Sequence, residues 1–315
     1  MRRCAVFGTG MWGTAMSIVL ADAGNEVVMV GRREAQIAAV NAEHENAEYF
    51  PGVRLPDTVR ATTEPAEALS GAEFAYLSIP AQTLRANLTA WKDLIDPDTV
   101  LVSLMKGLEV GTAKRMTEVI REVTGFGRER VAVVSGPNLS PEIARRQPAA
   151  SVVASRDEDV ALRLQAATNG PYFRTYTASD VTGVELGGVV KNVIGLAVGI
   201  ADGMGFGDNT KATLITRGLA GLGDLVATCA SPLSRNRSFG VHLGRGLTLE
   251  EAQAEVKQTV EGVKSCEAVL ELADRHGVEM PIAETVVAIV HDGRAPAEML
   301  KELMTRPLKA ERHGH

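Results

Sequence analysis

Cysteine is scarce in this sequence: Cys4, Cys229 and Cys266 are scattered and odd in number. They build neither a disulfide framework nor a zinc-binding spacing, so a reduced, cytoplasmic setting is expected. The six histidines form no cluster with acids or cysteines at ligand spacing, and no metal site is expected. Positive charge is not in excess either. A formal net charge of −6 argues against non-specific binding to nucleic acid or anionic membrane. An anionic substrate would therefore need a local cluster of basic groups. No apolar run is read as approaching the ~18 residues of a membrane-spanning helix, and repeats and low-complexity linkers are absent. Arg2-Arg3 followed by an alanine-rich stretch to Ala23 has the outline of a secretory signal. Three glycines and Thr9 interrupt its apolar part, and its removal would cost the domain its first strand.

What is present is ordinary in bulk: 315 residues, 45% hydrophobic and 23% charged, enough for two domains with a sizeable core. The opening is less ordinary. Residues 3–7 are a short run of β-formers ending at Gly8-Thr9-Gly10-Met11-Trp12-Gly13. A helix is expected from Trp12 to Ala23, stopped by Gly24, with a second buried strand ("EVVMV") over 26–30. A lone G-x-G-x-x-G is weak, but strand, glycine turn, helix and strand supply the context that a dinucleotide site requires. Gly8 would permit the tight turn, Gly10 the approach of a pyrophosphate, and Gly13 the packing of helix on strand. The amides of the helix N-terminus would meet the anion.

An NAD-specific site usually carries Asp or Glu at the tip of the second strand, for the ribose 2′-hydroxyl. This sequence lacks one there and has Gly31-Arg32-Arg33 instead. Two guanidinium groups suit a 2′-phosphate, so NADP is favoured, with NAD as the alternative. Two solvated surface arginines are the plainer reading.

Further strands are expected at 74–79 ("FAYLSI"), 100–104 ("VLVSL"), 131–134 ("VAVV"), 150–154 and 173–176. Pro80, Lys106 and Gly136 fall at their carboxyl ends, where such sheets bind ligands. Beyond about residue 180 the strand signals stop, and helical patterns follow, such as 263–276 and 282–291. The expected fold is an α/β Rossmann-type N-terminal domain (1–180) followed by an all-α C-terminal domain (181–315), with the active site between them.

Three stretches in the second half ask for more than a structural account. "GVVKNVIGLAVGIADGMG" (188–205) is a nearly apolar helix carrying Lys191 beside Asn192. A lysine desolvated there would have a depressed pKa and could exchange a proton with a carbonyl or hydroxyl oxygen; the alternative is a lysine that reaches out to solvent. In "GLAGLGDLVATC" (218–229), Asp224 could orient Lys191 or a substrate hydroxyl, or could simply cap a helix. "SRNR" (234–237) suits a phosphate, and equally a solvated charge run.

Together with "GTGMWGTA", "LMKGLE", "SGPN" and "VEGVKS", these stretches run in one order from residue 8 to residue 265. In that order they resemble the bacterial-type NAD(P)-dependent glycerol-3-phosphate dehydrogenases. The resemblance implies reversible reduction of dihydroxyacetone phosphate to sn-glycerol 3-phosphate, supplying phospholipid backbones. It implies that Lys191 is the proton donor and acceptor, that Lys106 contacts cofactor and substrate, and that Asp224 supports both lysines. Ser234, Arg235 and Asn236 would hold the substrate phosphate, with Arg235 also near the cofactor. Gly136, Asn138 and Ser140 would lie in the loop approaching substrate and cofactor, and Glu261 and Thr259 would meet the cofactor along with Met11, Trp12, Arg32 and Arg33. A homodimer is a further expectation.

The sequence departs from the family pattern at Met11, where a small polar residue is usual, and at Asn138, where Ser or Thr is usual. "ITRGL" (215–219) also runs straight into "AGLGDL" (220–225), where the family has a helix and a loop. A mobile stretch left out between Arg217 and Gly221 is expected, in preference to a deletion that would remove part of the substrate domain. Two other functions compete. One is a β-hydroxyacid-type dehydrogenase acting on a carboxylate, which the pairing of Lys106 and Lys191 with "SRNR" disfavours. The other is a catalytically inert NADP-binding regulator, supported only by the shortened segment.

Overall fold

Runs of β-branched and small apolar residues make the strands of the first half, and both faces of those strands are covered. In β1 (Arg3–Phe7) and β2 (Glu26–Val30), Cys4, Val6, Val27 and Met29 enter one core, while Ala5, Phe7, Val28 and Val30 enter another on the opposite face. A strand buried on both sides has no polar face, which is why these segments read as continuous apolar runs. Each large side chain fully buried in this way contributes about 1.5–3 kcal/mol. The computed structural model describes residues 1–218, 234–256 and 260–305. Among these, one compact unit covers Met1–Val189 and a second begins at Val190.

The first unit alternates strand and helix through α1 (Met11–Asp22), α2 (Glu34–Glu43), β3 (Val59–Thr62), α3 (Pro65–Leu69), β4 (Phe74–Leu77), α4 (Leu84–Trp91), β5 (Val100–Ser103) and α5 (Met116–Thr124). It continues with β6 (Val131–Ser135), α6 (Ser140–Ala144), β7 (Ala149–Ser155), α7 (Glu158–Thr168) and β8 (Phe173–Ala178). The eight strands order as β3-β2-β1-β4-β5-β6-β7-β8, all parallel except where β7 runs against β6. The chain moves outward from β1 to β2 and β3, then returns to place β4 on β1's other side. That reversal is the topological switch point, and ligands in such sheets bind beyond the carboxyl ends of the strands there.

The expected strands are present within a residue or two of the expected bounds, but β3 was not anticipated. Residues 2–23, weighed above as a possible signal, supply β1 and the largely buried α1.

The second unit is helical among its described residues. It contains the later part of α8 (Val181–Gly203), then α9 (Asp208–Gly218), α10 (Arg235–Gly244), α11 (Leu249–Val256), α12 (Glu261–Arg275), α13 (Pro281–Val290) and α14 (Pro296–Thr305). The expectation about apolar runs needs correction at α8. By length and composition it could cross a membrane, but 78% of its apolar window is buried inside the protein. It is a core helix, and its density of small residues has a packing cause. A Cβ on Gly199 would come 2.1 Å from the Arg237 carbonyl oxygen, and one on Gly203 2.1 Å from that of Val241. From the other side, a Cβ on Gly240 would meet the Leu196 oxygen at 2.3 Å and one on Gly244 the Ile200 oxygen at 2.1 Å. Two Gly-x-x-x-Gly faces thus let α8 and α10 touch backbone to backbone.

Candidate functional site

The glycine turn after β1 is built as a cradle. Gly8 has φ +114°, and a Cβ there would meet the Ser78 carbonyl oxygen, just beyond β4, at 2.3 Å. Such a conformation suits glycine alone. A Cβ on Gly13 would lie 1.9 Å from the Gly8 oxygen, so α1 can start only where residue 13 lacks a side chain. Gly10 differs: among the described residues nothing stands within 4 Å of its Cβ position. Among those residues the turn is open in front of it, and α1 begins at Met11 with no described side chain capping its amides. The Trp12 indole Nε1 is buried without a hydrogen-bond partner among the described residues. An open backbone at a helix N-terminus and an orphaned donor fit the pyrophosphate of a dinucleotide.

Polar side chains that were not singled out in the sequence fix this turn. Asn46 is buried and donates to the Thr9 carbonyl (3.0 Å) and to Thr14 Oγ1 (2.8 Å). Gln36 donates to the Thr9 carbonyl (3.1 Å) and accepts from Thr9 Oγ1 (2.8 Å). Beyond β2, Arg32 and Arg33 are both exposed, as the ribose-phosphate reading needs. They are not equivalent, because Arg33 forms an ion pair with Glu48.

Lys106 lies beyond the carboxyl end of β5, and its ammonium donates to the Gly136 carbonyl at 2.9 Å. Its stem lies along Gly188 of α8, where a Cβ would sit 3.4 Å from Lys106 Cγ and 2.9 Å from Ser135 Oγ. The antiparallel β7 brings Ser151 to the same edge, where it donates to the Ser135 carbonyl (2.9 Å) and accepts from Asn138 Nδ2 (3.3 Å). Asn138 Oδ1 is buried without a partner among the described residues. Lys106, Gly136 and Asn138 are therefore brought together as expected, and Ser140 follows as the first residue of α6. Behind them, the buried Glu185 of α8 accepts from the Thr117 amide (2.9 Å) and from Arg115 (2.8 Å). Burial nevertheless lifts its carboxyl above the ordinary range, against the pull of these partners.

In the second unit, Lys191 and Asn192 are buried on α8. Asn236 donates to Asn192 Oδ1 at 2.9 Å, and its own Oδ1 accepts from the Gly262 amide at 2.9 Å. One asparagine thus ties α8, α10 and the start of α12 together, and Asn192 was the missed partner. Ser234 is the N-cap of α10, accepting from the Arg237 amide. The two arginines of "SRNR" divide. Arg237 pairs with Asp202 at 2.8 Å, which Lys211 also holds, so its role is structural. Arg235 keeps an exposed side chain, yet protein crowding around its guanidinium lowers its pKa, with Glu261 acting against this. Burial raises the Glu261 carboxyl, opposed by Arg235 and Lys264, and its Oε2 is buried without a partner among the described residues. Asp224 and Thr259 lie outside the described residues.

A dinucleotide cradle at the switch point of a mostly parallel sheet, followed by a helical unit with a buried lysine, defines a nicotinamide-dependent dehydrogenase. The family model described as NAD-dependent glycerol-3-phosphate dehydrogenase N-terminus matches residues 3–161, and its C-terminus counterpart matches 180–220 and 217–301. A glycerol-3-phosphate dehydrogenase of Streptomyces griseus, named with NAD(P)+, is 62% identical over 330 aligned positions, covering 98% of each chain. Its namesake in Thermobifida fusca is 57% identical over the whole of both chains. The crystal structure of the Coxiella burnetii glycerol-3-phosphate dehydrogenase superposes with a TM-score of 0.90 at 35% identity, covering 97% of this chain and 99% of that one. The chain belongs to the NAD-dependent glycerol-3-phosphate dehydrogenase family.

The same comparisons mark the junction between Arg217 and Gly221. The C-terminus matches overlap at 217–220, and the alignment to the Streptomyces relative is longer than this 315-residue sequence.

Proposed function

We propose that Lys191, Lys106 and Asp224 carry the reaction of this family, the reversible reduction of dihydroxyacetone phosphate to sn-glycerol 3-phosphate with NADPH or NADH. The observation that carries this reading is the burial of Lys191 on an otherwise apolar stretch of α8, next to an asparagine bonded to Asn236 of "SRNR". The nicotinamide cofactor supplies the hydride. The Lys191 ammonium stabilises negative charge on the carbonyl oxygen and delivers the proton to it. In the oxidative direction its neutral amine takes the proton from the substrate hydroxyl.

Lys106 serves cofactor and substrate, aimed by its bond to the Gly136 carbonyl, with Asn138 beside it. Ser234, Arg235 and Asn236 hold the substrate phosphate at the N-terminus of α10, where helix amides add to the guanidinium charge. Gly8, Gly10, Met11, Trp12 and Gly13 hold the cofactor pyrophosphate, and Arg32 and Arg33 its 2′-phosphate. Ser140, Arg235, Thr259 and Glu261 complete the cofactor contacts. Residues 1–180 serve as the dinucleotide-binding domain and 181–315 as the substrate domain. The enzyme works in the cytoplasm as a homodimer, and its product enters phospholipid synthesis.

Lys191→Met keeps the apolar stem and removes the ammonium. The expected kcat falls by about 10³ or more, because acid catalysis and charge stabilisation each commonly supply 10²-fold. NADPH binding, followed by fluorescence titration, should change little. A near-normal kcat would remove Lys191 from the mechanism and leave Lys106 as the acid.

A further inference from the structure

The tip of β2 has no carboxylate in sequence, but the fold delivers one. Glu48 lies fifteen residues beyond Arg33 and pairs with its guanidinium. Its position is not that of a free loop. Two residues earlier, Asn46 is buried and bonded to Thr9 and Thr14 of the glycine turn. The Tyr49 and Phe50 amides donate back to the Asn46 carbonyl at 3.0 and 2.9 Å, and the Phe50 side chain is buried in the core. Glu48 therefore sits in a tight turn stitched to the cofactor cradle. Arg32 makes no ion pair with any described carboxylate, so the two arginines present unequal charge.

We propose that Glu48 is a specificity-determining residue that holds back the preference for NADPH, leaving the ribose site open to NADH as well. The proposal rests on the reading that Arg32 and Arg33 face the ribose. A 2′-phosphate must compete with the Glu48 carboxylate for Arg33 and lies near a like charge. A 2′-hydroxyl meets no such repulsion and can donate to a carboxylate, the contact that NAD sites use. A carboxylate borrowed from the next loop thus balances two guanidinium groups that would otherwise select for phosphate.

The test is fluorescence titration of NADPH and NADH on wild type, Glu48→Gln and the double variant Arg32→Ala/Arg33→Ala. Glu48 is roughly half exposed, with its side chain at 47%, so Glu48→Gln should fold and melt as wild type. Glu48→Gln is expected to tighten NADPH about three- to tenfold, the scale of one partly screened charge. NADH should stay level or weaken, so the NADPH-to-NADH affinity ratio rises. The double variant should lower that ratio. If the double variant leaves the ratio unchanged, the ribose reading fails and the proposal with it. If the double variant shifts the ratio and Glu48→Gln does not, the ribose reading stands. Glu48 is then only a solvated ion-pair partner, and the proposal is overturned.

Discussion

Two sets of glycines do opposite work in this molecule. In the turn after β1, Gly8 and Gly13 make room for neighbouring backbone, but Gly10 faces open space among the described residues. In the α8–α10 crossing, all four glycines face the backbone of the other helix at 2.1–2.3 Å, and none faces open space. The first set shapes an emptiness for a ligand, and the second removes an emptiness between helices. A glycine pattern in a sequence therefore carries no function until its surroundings are known. The measure that separates the two sets is what a single methyl group would strike.

That measure can be broken most forcefully at the crossing. Gly240→Ala places a methyl against the Leu196 carbonyl, which belongs to a helix backbone and cannot turn aside. Overpacking of this kind costs about 1–3 kcal/mol or more. The melting temperature should fall by several degrees, and the α8–α10 contact that seats Asn192 on Asn236 should loosen. An unchanged melt would mean that the two helices can move apart freely.

Gly10→Ala sharpens the contrast from the other side. Its methyl meets no atom of the described residues, so the melt should not move, while NADPH and NADH should both weaken about tenfold as the pyrophosphate loses its close approach. Titration and calorimetry on one sample decide it. A lowered melt with intact cofactor binding would place Gly10 in the structural set.

The smallest expected effect leaves both glycine sets alone and concerns a charge contact instead. Arg85 holds the Glu109 carboxyl below the ordinary carboxylate range, with burial opposing and Thr112 assisting. A lowered folded-state pKa gives stability that is present above the unfolded value and lost as pH falls through the folded one. Glu109→Gln should therefore flatten the acid side of the stability curve, below about pH 4.5. Because Arg85 is partly exposed, the change should stay under about 1 kcal/mol. Urea titrations at pH 3, 5 and 7 read it directly, and an acid limb as steep as that of wild type would show that Arg85 does not govern it.

How much of this was legible in the sequence depended on distance along the chain. The unit from β1 through the glycine turn and α1 to β2 was readable because every signal in it is local. Lys191 was readable as the one ionisable side chain in its stretch. The strand β3, "VRAT", escaped because it is short and half polar, as an edge strand paired only with β2 can be. The direction of β7 was not readable, since parallel and antiparallel neighbours share one apolar pattern. Without that reversal, Ser151 would not reach Ser135 and Asn138. The bonds that complete the candidate sites join distant positions: Asn46 with Thr9, Glu48 with Arg33, Asn236 with Asn192. Each partner is ordinary in its own neighbourhood, and only the fold gives it a role.

The bond from Lys106 to the Gly136 carbonyl has a thermodynamic consequence. A free lysine side chain loses about 1.5–2 kcal/mol of rotamer entropy when it is fixed. Here the stem already lies along Gly188 and the ammonium already has an oxygen. Most of that disorder is removed when the protein folds and need not be removed again when a ligand arrives. With Lys106 in its proposed role, association at this residue would cost little further side-chain entropy, so its contribution to binding should be mainly enthalpic.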